Sequence, residues 1–148
     1  MSDDPDLVQA LHAWSEVFMH RSMRDFKKIM DDNGLSSSQM ITLFRLYHGV
    51  PITISDIGSQ LGVSKAASSQ LIDRLVILKL VDRVENPLDR RVRHLNITES
   101  GTSLVEQVIN ARRQWMEGLI AELNPEQEAI VISALTLLTT QAVKAQEK

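Results

Sequence analysis

The residues with chemistry to offer gather in two stretches near the middle of the chain. Ser64-Lys65-Ala66-Ala67-Ser68-Ser69-Gln70 combines hydroxyls, a cation, an amide and small side chains. Asn86-Pro87-Leu88-Asp89-Arg90-Arg91-Val92-Arg93 sets three arginines around one nearby carboxylate. Lys, Ser and Gln can read donors and acceptors on base edges, and alanine permits close approach. Arginines on a thin loop can enter a narrow minor groove, where the negative potential is strongest. Lys65, Arg83 and Arg90 are candidates for phosphates, whose contacts fix register and make affinity fall with salt. Taken alone, a polar helix face or a charged loop is more often simply solvated. Their setting decides.

Overall charge points the other way. The 148 residues hold 16 Lys+Arg against 19 Asp+Glu, a formal −3, which at first sight disfavours a polyanionic partner. The distribution reverses that reading. Residues 62–98 carry seven basic and four acidic side chains, whereas residues 1–61 carry five and eight, and residues 99–148 four and seven. The basic excess lies where the two stretches lie.

Periodicity supplies the elements that would position them. Leu7, Leu11, Trp14 and Phe18 predict a helix over about 6–32, closed by Gly34. Ser36 and Gln39 fit a capping box opening a helix to about His48, with Met40, Leu43, Phe44 and Tyr47 inward. Gly49 and Pro51 break it, and Thr53 to Asp56 opens a short helix ending near Leu61. Gly62 turns the chain, and Ser64 caps a helix from Lys65 to about Leu78. Two short helices around a Gly turn form a helix-turn-helix pattern. On a helical wheel Ala67, Leu71, Leu75 and Leu78 face the core, leaving Lys65, Ala66, Ser69, Gln70 and Asp73 outward. Leu80–Glu85 and Val92–Ile97 read as a hairpin with a basic tip. Thr98 caps a long helix to about Leu123, striped by Leu104, Val108, Trp115 and Leu119 and by Val105, Ile109, Met116 and Ile120. Asn124-Pro125-Glu126-Gln127 opens a final, nearly all-round apolar helix.

In this order the motifs resemble the MarR family of winged-helix transcription regulators. The resemblance is carried by Leu35-Ser36-Ser37-Ser38-Gln39, Ile57 to Ser64, Asp73-Arg74-Leu75, and Asp89-Arg90-Arg91 followed by Leu95-Asn96-Ile97-Thr98. It implies a mainly α winged helix of six helices with a two- or three-stranded wing hairpin. The lobe 35–98 would bind DNA, while 1–34 and 99–148 would form a helical dimerisation region. It implies recognition-helix contacts from Ser64, Lys65, Ala66, Ser68, Ser69 and Gln70, and a minor-groove Arg91. Asp89 would orient the wing by pairing with Arg91 or Arg74; Arg74, Arg83 and Arg90 complete the candidate DNA-binding set. The implied partners are a pseudo-palindromic duplex, a second copy of the chain, and a small aromatic or phenolic effector. Candidate effector liners are Trp14, Phe18, Arg21, Phe44, His48, Arg112 and Trp115. One departure concerns Lys79, which stands where the family usually has a Gly suited to a left-handed cap, so strain is expected there. Gly58 replaces a more usual Ala, and Val76-Ile77 is unusually apolar, so either the cap geometry differs locally or these two side chains pack on something.

Other signals carry less. His12, Glu16 and His20 share one helical face, but three in a row span about 12 Å, too far for one ion, so no metal is expected. Gly-rich phosphate loops, His-Glu-x-x-His and Gly-x-Ser-x-Gly are missing, so neither an enzyme nor a cofactor is expected. Cysteine is absent, which excludes disulfides and a thiol-based redox sensor. The acidic start reads as no signal peptide, and no apolar run approaches the ~18 residues of a membrane span. A cytoplasmic regulator, by the resemblance a repressor, is the expectation. The alternative is a helical dimeric protein-interaction module whose winged helix no longer binds DNA.

Overall fold

The computed structural model describes residues 6–50, 52–85 and 93–146. Six helices and one hairpin follow in the order α1 (Leu7–Asp32), α2 (Ser37–Tyr47), α3 (Ile54–Leu61), α4 (Lys65–Ile77), β1 (Val81–Glu85), β2 (Arg93–Ile97), α5 (Glu99–Ile120) and α6 (Pro125–Gln146). The helix starts follow local side-chain chemistry. Ser36 and Gln39 satisfy each other's backbone N–H groups, and so do Thr53 with Asp56 and Asn124 with Gln127. Gly34, at φ 62°, lets Leu35 N–H reach Met30 C=O and closes α1. The last element of α5 stops three residues short of the expected Leu123.

The chain divides into two compact units, 1–112 and 113–148. In the first, Met40, Leu43, Ile52, Ile57, Ile72, Leu75, Val81, Leu95, Leu104, Val105 and Val108 form one enclosed core. β1 and β2 pair antiparallel, Val81 opposite Ile97 and Arg83 opposite Leu95. A single bridge from Thr53 to His94 adds a rudimentary third strand. Within the second unit, α6 leaves Ile130, Val131, Ile132, Leu135, Leu137 and Val143 exposed.

Two of these expectations need correction. The inward line of α4 is Ser68, Ile72 and Leu75, while Ala67 is exposed and Leu71 and Leu78 are half-buried. The helix is turned because Gly58 of α3 admits it closely: a Cβ there would lie 2.9 Å from the Ser68 Oγ. Val76 packs against the core, but Ile77 stays 70% exposed. Finally, residues 125–145 are long and apolar enough to cross a membrane by length and composition, with mean hydropathy 1.2 and none of it buried. Interleaved Ser and Thr hide that stretch from a search for unbroken apolar runs, yet its charges are few.

Lys79 does adopt the left-handed conformation, at φ 58°. Such a residue costs about 1–2 kcal/mol relative to a right-handed one. Surrounding bonds hold it there: Lys79 N–H donates to Val76 C=O and Leu80 N–H to Leu75 C=O, both at 2.9 Å. The Thr98 hydroxyl donates to Lys79 C=O at 2.7 Å and accepts from Gly101 N–H at 3.0 Å. One side chain thus caps α5 and pins the turn after α4. Gly101 makes this approach possible, because a Cβ there would meet Leu80 O at 2.2 Å.

Candidate nucleic-acid interface

The candidate surface starts at the turn between α3 and α4. Gly62 takes φ 63°, and Val63 N–H returns to Gly58 C=O at 3.0 Å, so the chain reverses within three residues. Ser64 then caps α4, its hydroxyl accepting from Ala67 N–H at 3.2 Å. Beyond the cap, Lys65, Ala66 and Gln70 are exposed and Ser69 is half-buried. Ile54, Gly58, Ser59, Val63 and Lys65 line a shallow groove of about 330 Å³ beside this end. A helix N-terminus directs free N–H groups and a positive potential outward, which suits a phosphate. Small and hydrogen-bonding side chains on the next turn suit base edges.

Ser68 does not belong to that exposed set. It is 0% exposed, and its hydroxyl donates to Ser64 C=O at 3.1 Å. Its role is to lock α4 against Gly58, so its expected place among the reading residues is corrected. Arg83, expected at phosphates, is half-buried and its guanidinium Nη2 is hydrogen-bonded to Asp73 of α4. Arg74 is exposed, with Nη2 lying 3.8 Å from the position a Cβ would take at Gly34, beside the α1–α2 corner. It reaches away from the Lys65 end of its own helix. Asp89, Arg90 and Arg91 lie outside the described residues.

Among the effector candidates, α1 and α5 bring three together. Trp14 and Phe18 have ring centroids 6.3 Å apart, and the Arg112 guanidinium lies 5.8 Å from the Phe18 centroid. Arg21 pairs with Asp25 at 3.5 Å. Phe44 instead meets Phe26 at 6.3 Å, and His48 meets Tyr47 edge-on at 5.4 Å. Trp115 belongs to the second unit and is half-buried. Sequence reasoning missed Ser22 on the same helix as Phe18 and Phe26. It is buried, with no hydrogen-bond partner for its hydroxyl. Its one signal was the i+4 spacing from Phe18, too common to single it out. His12 and Glu16 sit 3.8 Å apart on open surface, and the described residues contain no group of three or more metal-capable side chains.

A helix-turn-helix running into an antiparallel wing defines a winged-helix protein. The family model described as MarR family matches residues 33–92. Across 148 residues the chain is 29% identical to the transcriptional repressor MdtR of Bacillus subtilis, covering 100% of this chain and 95% of that one. The fold is similar to that of the transcriptional regulator Tm0710 of Thermotoga maritima, at TM-score 0.84 and 24% identity over 95% of this chain and 99% of that one. It is also similar to MepR of S. aureus, solved as a DNA complex, at TM-score 0.66 and 22% identity over 86% and 96% of the two chains. Residues 33–92 of the chain are thus similar to the MarR family. The relatives and solved structures named here are transcriptional regulators.

Proposed function

We propose that the protein is a homodimeric, sequence-specific DNA-binding repressor whose affinity is set by a small aromatic or phenolic effector. The observation that carries this reading is the exposed start of α4, where Lys65, Ala66 and Gln70 follow the left-handed Gly62 on a helix locked by Ser68. Each recognition helix would enter a major groove, with Ser64, Lys65, Ala66, Ser69 and Gln70 at the duplex and half-sites about 10 bp apart. Arg90 and Arg91 would supply the wing's contacts, with Asp89 orienting them. MdtR, similar along the whole chain, is a repressor, and MepR is a DNA binder of the same fold.

The bare apolar faces of α6 and of α1 at Leu7, Val8 and Val17 support the dimer. Enclosing one such side chain is worth about 1.5–3 kcal/mol, so leaving many uncovered is costly without a partner. That also explains the length and hydropathy of α6 without a membrane, in keeping with a cytoplasmic regulator. Trp14, Phe18 and Arg112 support the effector, since two aromatic faces and a guanidinium suit an aromatic anion. Selection from a pool of random duplexes tests specificity. Enrichment of a pseudo-palindrome that Gln70→Ala relaxes is the expected result; a pool that stays unenriched contradicts it.

A further inference from the structure

Seven ion pairs are found among the described residues, and six of them join neighbours within α1 or α5. The seventh joins two elements: Asp73, two turns into the recognition helix, holds Arg83 on the first strand of the wing. We infer that Asp73 is a positioning residue for DNA reading, which fixes the root of the wing against the recognition helix through Arg83. This rests on the DNA-binding reading above.

The surroundings of Arg83 make the pair directional. Its side chain is 26% exposed, against 51% for Asp73. Its Nε is enclosed with no hydrogen-bond partner. A half-buried guanidinium needs a counter-charge and geometrically matched acceptors, and Asp73 is the carboxylate that meets it. Arg83 is therefore held by the protein rather than offered to a phosphate. Its register partner Leu95 is buried, so β1 is held at this point by the core beneath its partner strand as well as by the ion pair. The ladder runs on from Arg83–Leu95 through Val84–His94 to Glu85–Arg93. Any tilt at Arg83 is thus carried along both strands to the wing's outer end. An ion pair across α4 and β1 fixes that tilt where backbone bonds do not reach.

The sign of the effect separates this role from that of a bystander. Asp73 is an anion beside a surface that meets polyanionic DNA. Were it only a nearby charge, Asp73→Asn would raise affinity for every duplex. As a positioning residue, the same change lowers affinity for the preferred sequence by about tenfold, the scale of one charge-assisted hydrogen bond. Binding to random duplex stays level or rises, so the specificity ratio falls. Asp73→Glu, which keeps the carboxylate, restores most of the ratio. Arg83→Gln loses as much as Asp73→Asn, and the double variant loses no more than either.

The experiment is anisotropy titration of the full chain with the selected duplex and a random duplex, alongside the melting temperature of each variant. Lost ratio with unchanged Tm is the expected result. Equal or tighter binding of Asp73→Asn to the preferred duplex overturns the inference alone. A fall in Tm as large as that of a core truncation would assign the pair to folding and also overturn it. Wild-type protein that binds neither duplex overturns this inference together with the DNA-binding reading.

Discussion

Ile72 and Ile130 carry the same side chain in opposite surroundings. Ile72, on α4, is fully enclosed by the core of the first unit, whereas Ile130, on α6, is 68% exposed. The contrast extends to their neighbours, with Leu43, Leu75 and Val105 at 0% and Ile132, Leu135 and Leu137 bare. It runs even along one helix: α5 buries Leu104, Val105 and Val108 near its start and exposes Leu119 and Ile120 near its end. A chain that completes one core and leaves a second apolar surface open has put its two surfaces to different uses. The first holds α4 still. The second, on the proposed reading, takes a copy of the chain.

The sharpest way to break that contrast is to truncate both sides of it. Ile72→Ala should cost about 3 kcal/mol of unfolding free energy, because the cavity cannot be filled. Ile130→Glu should leave the first unit's unfolding nearly unchanged yet convert a dimer to a monomer by light scattering. Equal losses from the two, or a dimer that survives Ile130→Glu, would mean α6 is no interface. The glycines of α5 provide a second pair. Gly101→Ala should destabilise by about 2–3 kcal/mol, since its Cβ would collide with Leu80 C=O, while Gly118, with nothing within 4 Å, should gain about 0.5–1 kcal/mol as alanine. Chemical denaturation of both variants checks the difference.

Smaller effects sharpen the enclosed side. Lys79→Gly should raise stability by up to about 1 kcal/mol by removing the left-handed strain, with the Thr98 bonds intact. At Asp56, the Thr53 hydroxyl and backbone N–H, with help from Arg45, hold the carboxyl below its ordinary 3.8. Its folded value is depressed, so its contribution is present above 3.8 and is lost as the pH falls through the lower folded value. Asp56→Asn should therefore melt slightly below wild type at neutral pH, and the gap should close in acid. A gap that widens in acid would contradict this cap.

Most of the lobe was legible because its punctuation is local. Ser36 with Gln39, Thr53 with Asp56, Ser64, Thr98 and Asn124 with Gln127 mark helix starts that need no distant partner. The left-handed Lys79 was also readable, from a lysine standing where a glycine belongs. The rotation of α4 was not. It depends on how closely α3 approaches, set by Gly58 against Ser68, and a wheel drawn for one helix has no knowledge of its neighbour. The same blindness put Ser68 at the duplex and Arg83 on a phosphate, when each is taken by a tertiary partner. Among the effector candidates, residue type identified aromatic and cationic side chains but not which would meet. Trp14, Phe18 and Arg112 do, while Phe44 and His48 pair along α2 and its neighbours.

On the proposed reading, the exposed start of α4 and the basic middle of the chain bind duplex DNA although the chain is acidic overall. The most direct test is the affinity of the wild-type protein for a random-sequence duplex, followed from about 50 to 200 mM salt. Clear binding at the low end that falls by about a thousandfold or more across the range is expected, because the counterions displaced by phosphate contacts gain less entropy in richer salt. Folded protein that binds no duplex at 50 mM, or binds without salt dependence, would contradict it.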